Sequence, residues 1–262
     1  MASNFEIVAG DPTSHLIIHV PHSARFIPEE VRSDILLSDV DLEAELNEMT
    51  DSLTAEMVLH ATAELAIRPT LFINKFSRLV IDPERFPDER EVMNQVGMGA
   101  VYVKTSSGGA LRDPNFDGKN LITNYFHPYA KALTDLVSNK LQDHGKVLII
   151  DFHSYRSDQR PNAINHGQAR PPICIGTDSF HTPVSLIELV QNTFAEFGES
   201  VLNQPYAGTY VPLDFYLVDP RVSSIMLENR ADLLVDGNLK PGPNFERYSK
   251  ALAEFISSAA NN

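Results

Sequence analysis

The stretch LIIHVPHSARFIP, residues 16–28, sets how the rest of the chain is read. A short β-rich run, apolar except for His19, stops at Pro21. His22 and Ser23 follow at once, in a turn held by Pro21 and Pro28. Runs that are apolar on both faces read as strands of a sheet covered by helices on each side. The ends of such strands are where an open α/β sheet presents its chemistry. His22 is therefore a candidate site residue, and the question is which partners reach it.

Working outward, three more runs have strand character: LFINKF (71–76), VLIIDF (147–152) and SSIMLE (223–228). ICIGT (173–177) is a weaker fifth, and RLVID (78–82) reads as the second strand resumed after a bend. Helical periodicity marks 39–66, 121–142, 184–197 behind Pro183, and 244–258. Strands alternating with helices predict one α/β domain over residues 1–262, built on a mostly parallel sheet with helices on both faces. The irregular stretches 83–120, 156–172 and 203–222 are rich in Gly, Pro, Asn and Asp, and are expected to wall the site.

Composition narrows the function classes. The 262 residues are 43% hydrophobic, enough for a sizeable core. With 35 acidic against 21 basic residues and a formal charge of −14, the chain lacks the basic surface that nucleic acid requires. A small anionic substrate stays open, because a few arginines in a pocket decide the local field. The single cysteine, Cys174, rules out an internal disulfide and suits a reducing compartment. The N-terminal MASNFEIVAGDP has no basic region followed by an apolar one. No apolar run approaches the ~20 residues that span a bilayer. The expectation is a soluble cytoplasmic protein without a membrane or nucleic-acid partner.

VLIIDFHSY repeats the opening theme. Asp151 and His153 are two apart, so both face one side if the strand persists. An imidazole beside a carboxylate at a strand end is how a metal-ligating histidine is oriented. Two histidines do not complete a catalytic zinc site, which usually takes three protein ligands, often including a carboxylate. NEMTDSLTAEM offers Glu48, Asp51 and Glu56. Of these Asp51, a poor helix former placed inside a helical pattern, most invites a specific reason. INKFSRLVIDPER brings Asn74, Arg78, Asp82 and Arg85 together. Guanidinium groups match carboxylates bidentately, so this segment could hold an acidic substrate or simply pair internally. In IMLENR, Glu228 emerges at a buried strand position, where desolvation raises a carboxyl's pKa toward the range of a general base. Arg230 is either its ion-pair partner or a further substrate contact.

In this order, the motifs resemble those of the N-formylglutamate amidohydrolase family: Pro21–His22–Ser23, Thr50–Asp51, Asn74 to Arg85, Asp151 to Ser154, Asn203 to Gly208, and Glu228 with Arg230. The resemblance runs from about residue 15 to 256. It implies a mixed sheet like that of zinc carboxypeptidases and aspartoacylase-like deacylases, with one Zn2+ per chain. It implies His22, Asp51 and His153 as metal ligands, with Glu228 activating water. The substrate would be an N-acyl amino acid, its carboxylates clamped by Arg78 and Arg85 with Asn74 and Arg230 in support. Asp151 would hold a histidine ligand from behind. Two positions depart from the family pattern: Ala24 follows PHS where glycine is usual, and Glu84 stands where asparagine is usual. Two rival readings keep the same residues: a carboxypeptidase-like peptide hydrolase, and an inactive domain that binds an acidic metabolite. Serine catalysis fits less well, since Ser23 and Ser154 adjoin their histidines along extended chain and face the opposite way.

Overall fold

The computed structural model describes residues 3–159, 163 and 166–261. The chain opens with strands β1 (Phe5–Val8) and β2 (Leu16–Val20). Three helices follow, α1 (Glu29–Arg32), α2 (Asp39–Met49) and α3 (Thr54–Thr62), and then β3 (Thr70–Asn74). After a long excursion come α4 (Lys119–Leu121), a π-helical turn at Ile122–Phe126, and α5 (His127–His144). The remainder is β4 (Val147–Tyr155), β5 (Ile173–Gly176), α6 (Val184–Thr193), β6 (Ser200–Leu202), β7 (Val222–Arg230) and α7 (Phe245–Ala259).

The seven strands form one sheet in the order β1-β3-β2-β4-β7-β5-β6. β3, β2, β4 and β7 are mutually parallel, β5 and β6 form a parallel pair, and β1 and β5 run antiparallel to their neighbours β3 and β7. The mostly parallel α/β expectation is met. The central strands are covered on both faces because their side chains are apolar in both directions. Leu148, Ile150 and Phe152 share a core with α3, α6 and α7. Val147 and Ile149 pack with Tyr129, Leu133 and Val137 of α5. Each such fully buried aliphatic side chain stabilises the fold by roughly 1.5–3 kcal/mol relative to exposure. Among the described residues no helix is long and apolar enough to cross a membrane.

Three local expectations are corrected. RLVID forms turns rather than a resumed strand. Leu79, Val80 and Ile81 are nonetheless buried, because they anchor the excursion after β3 to two satellite cores; burial without pairing leaves the same apolar signal as a strand. The helical pattern at 39–66 divides into α2 and α3, with Asp51 in the break. The pattern at 184–197 ends its α-helix at Thr193, and a 3-10 turn covers Ala195–Phe197. The short edge strands β1 and β6, with partly exposed residues, carried too little apolar signal to be anticipated.

The excursion is a built wall. Arg112, fully buried, donates through Nη1 to the Tyr102 carbonyl and through Nη2 to the Leu79 carbonyl, both at 2.6 Å. Burial lowers its pKa to about 10. Glu45 of α2 accepts the Ser106 N–H at 2.6 Å and hydroxyl at 2.9 Å. Arg112→Met is expected to lower stability by roughly 3 kcal/mol, because two buried carbonyls lose their donors. Urea denaturation checks this, and a loss below about 1 kcal/mol would show that the excursion holds without that residue.

Candidate active site

The break between α2 and α3 places the first acidic group. Thr50 is extended and Leu53 adopts a left-handed conformation at φ 63°, so the chain turns sharply between the helices. Asp51 is pinned from two sides. Its N–H donates to the His22 carbonyl at 3.0 Å, and its Oδ2 accepts the Ser154 N–H at 3.1 Å. The carboxylate thereby ties the turn after β2 to the end of β4. On the first side, the Asn74 amide fixes the same turn by donating to the Pro21 carbonyl at 2.8 Å.

The two histidines meet here. His22 Nδ1 lies 3.3 Å from His153 Nδ1, and Asp51 Oδ2 lies 3.1 Å from His153 Nδ1 and 3.9 Å from His22 Nδ1. These three donors converge within a span that one metal ion could bridge. Glu56 is exposed on α3. Glu48, 3.3 Å from Arg156, lines the cavity outside this donor set.

The outward nitrogens of the rings are backed by carboxylates. His22 Nε2 sits 2.9 Å from Asp82 Oδ1. His153 Nε2 is 3.2 Å from Asp151 Oδ1 and 3.3 Å from Glu84 Oε2. Asp151 also pairs with His19 Nδ1 at 2.9 Å and accepts the Tyr210 N–H at 3.2 Å, while His19 Nε2 meets the Tyr129 hydroxyl at 2.7 Å. Asp82 is placed to hold a proton on His22 Nε2 and leave Nδ1 facing inward, the arrangement that suits metal ligation; His153 Nε2, buried without a hydrogen bond, has Asp151 and Glu84 beside it.

Register explains the convergence. Across parallel strands His19 lies opposite Asp151, and His153 lies opposite Glu228. Because side chains alternate faces, Asp151, His153 and Glu228 emerge on one side of the sheet at its C-terminal end. Burial pushes Glu228 up from the ordinary glutamate value of 4.5 to about 8; His153 opposes the shift and Asp51 adds to it. Its Oε2 is buried without a hydrogen-bond partner. Burial alone would likewise raise Asp51 and Asp82. Neighbouring His153 and His22 outweigh it at Asp51, and Arg78 and His22 outweigh it at Asp82, so both stay below the usual carboxylate range. For His153, Glu84 and Asp151 overcome burial and favour the charged ring.

The donor set fits a divalent cation. Asp51, Asp82, Glu84, Asp151 and Glu228 crowd one region, with Arg78 and Arg85 as fixed positive groups beside Asp82. Two imidazole nitrogens at 3.3 Å with a carboxylate oxygen beside them are a nitrogen-and-oxygen set of the kind that zinc takes.

The cluster opens into a cavity of about 460 Å3 whose lining includes His22, Asp51, Arg78, Arg85, His153 and Glu228. All three irregular stretches contribute, through Tyr102, Arg170 and Tyr206 among others. Arg78 is engaged with Asp82 at 2.7 Å and with the Tyr102 hydroxyl at 3.0 Å. Arg85 stands 3.6 Å from Asp82 and 3.9 Å from Glu91, and its buried Nε makes no hydrogen bond. Two residues expected at the substrate are placed elsewhere. Asn74 is consumed in the turn after β2. Arg230 grips Asp232 at 2.7 Å and the Arg170 carbonyl at 3.0 Å, outside the cavity lining. The spacing that set Arg230 beside Glu228 in sequence does not make them partners in space.

A model of the N-formylglutamate amidohydrolase family matches residues 14–235. The chain belongs to that family. It is accordingly a hydrolase. The fold agrees: a crystal structure of N-formylglutamate amidohydrolase from Ralstonia eutropha superposes with a TM-score of 0.79 at 20% identity, covering 99% of this chain and 98% of that one. A gene product of Agrobacterium tumefaciens superposes with a TM-score of 0.68 at 18% identity, over 99% and 96% of the two chains. A search of curated proteins finds no match.

Three residues of this family member's site carried weaker signals. Asp82 read as an arginine partner, and its contact with His22 crosses 60 positions. Glu84 stood out only as a departure from the family pattern. His19 stands out in sequence only as the polar residue of an apolar run, yet it is a fully buried ring that holds Asp151.

Proposed function

We propose that this protein is a zinc-dependent amidohydrolase that cleaves N-formyl-L-glutamate or a related N-acyl amino acid. One observation carries the reading. The Nδ1 atoms of His22 and His153 and the Asp51 carboxylate converge beside the buried Glu228, whose Oε2 makes no hydrogen bond, in a cavity that also holds Arg85.

Zinc at His22, Asp51 and His153 would supply Lewis acidity, polarising the amide carbonyl and lowering the pKa of water toward about 7. Asp82 and Asp151 keep the two rings in the ligating orientation. Glu228 takes a proton from the attacking water as its oxygen bonds to the acyl carbon. It then delivers that proton to the amide nitrogen as the C–N bond breaks, releasing a carboxylic acid and the free amino acid. Arg85 binds the side-chain carboxylate of the substrate; Arg78, already committed to Asp82, mainly shapes the wall.

The reading is tested by stripping the protein with a chelator and restoring zinc. Hydrolysis of N-formylglutamate is expected to vanish and return at about one zinc per chain. An apoprotein that neither takes up zinc nor regains turnover would favour the binding-domain alternative. Arg85→Ala is expected to raise KM for N-formylglutamate roughly 10- to 100-fold, the loss of one charge-assisted hydrogen bond, and to change KM for N-formylalanine less. Equal effects on both substrates would place Arg85 at the α-carboxylate that the two share and move side-chain recognition elsewhere.

A further inference from the structure

A second chamber of about 330 Å3 adjoins the first. The two share Glu84, Arg85, Val92, Ala207 and Met226 in their walls, so they meet at the Glu84–Arg85 side of the metal-ligand cluster. Asp151 also lines the second chamber, which therefore begins one side chain from His153.

The chambers differ in chemistry. Arg78, Arg156 and Arg170 line the first but not the second. Away from the shared wall, the second is bounded by Phe86, Tyr210, Val211, Leu213 and Tyr216. Its remaining charges are already matched. Arg90 grips Asp88 at 2.6 Å and lies over the Phe86 ring, and the Glu91 carboxylate accepts the N–H groups of Phe86 and Met93. Arg85 stands in the wall that the two chambers share, and Arg78, Arg156 and Arg170 make the first the more basic space, suited to the amino-acid carboxylates; that leaves the second, with its aromatic and aliphatic outer wall, on the acyl side of the scissile bond. A formyl group has a single carbon. It would leave the second chamber to roughly ten waters, at about 30 Å3 each.

We propose, resting on the amidohydrolase reading above, that this chamber is an acyl pocket and that the preferred substrates are N-acylated acidic amino acids carrying a medium-length or aromatic acyl group. Each methylene transferred from water into such a pocket improves binding about fourfold. Some of that gain is lost to ordering the chain.

The test measures kcat/KM of the zinc-loaded enzyme for N-formyl-, N-acetyl-, N-hexanoyl- and N-phenylacetylglutamate. The expected result is that the hexanoyl and phenylacetyl compounds exceed the formyl one by roughly 10- to 100-fold. Leu213 is 46% exposed, so substitution there leaves the core intact. Leu213→Trp is expected to lower the hexanoyl-to-formyl ratio at least about tenfold by filling the chamber, and Leu213→Ala to lower it less. Formyl preference, or a ratio that neither variant moves, would overturn the acyl pocket while leaving the amidohydrolase reading standing. Hydrolysis of none of the four compounds would overturn both.

Discussion

Glu228→Gln is expected to keep its metal and lose about 10²- to 10⁴-fold in kcat, the usual contribution of a positioned general base. Glutamine preserves the shape of the side chain but cannot accept the proton from water. Zinc content and turnover measured on the same preparation check this. Zinc loss matching that of a ligand variant would make Glu228 a ligand and require a different base. The same substitution carries a stability signature. In the metal-free fold Glu228 titrates at about 8 instead of the ordinary 4.5, because it is buried. Between those values the folded chain holds a proton that the unfolded chain has released, so this group's contribution to stability falls as pH rises from about 4.5 to 8. At pH 7 the penalty is roughly 3 kcal/mol. Metal-free Glu228→Gln should therefore melt several degrees above metal-free wild type at pH 7, with the gap closing toward pH 4.5. A gap that does not change with pH would place the high pKa elsewhere.

His153→Ala should lose both metal and turnover. It removes one of three converging donors and takes from Asp51 and Asp151, both buried, one of the imidazoles that hold their charges. Removing one partner of a buried charge pair costs about 3–5 kcal/mol, so the variant should also be less stable. Zinc titration followed by melting separates the two effects: wild type should gain Tm on adding zinc, and His153→Ala should gain none. A variant that still binds zinc with the affinity of wild type would remove His153 from the ligand set.

Much of this site was legible because strand ends announce themselves. PHS and DFHSY both place histidine where an apolar run stops, and the two-residue spacing of Asp151 and His153 holds because β4 persists to Tyr155. Glu228 was legible for the same reason, as an acid at a position that strand period makes buried. Asp51 was noticed only as an odd residue within a helix, since the apolar stripe resumes after the break and conceals it. The arginine-rich segment read ambiguously, because an arginine that binds substrate and one that pairs internally look alike in sequence. In space Arg78 is committed to Asp82 and Arg85 is less so.

By itself the sequence determined the α/β class, and it marked the strand ends and the residue types from which the candidate site is built. Hydrophobic period and the preferences of residues at strand ends are local properties. Only the tertiary structure decided that Asp82 backs His22, that Asn74 and Arg230 serve the scaffold, and that a second chamber opens beside Asp151. Those contacts join side chains tens of positions apart, and chain spacing says nothing about which of several equivalent carboxylates or guanidinium groups a folded surface brings within hydrogen-bond distance.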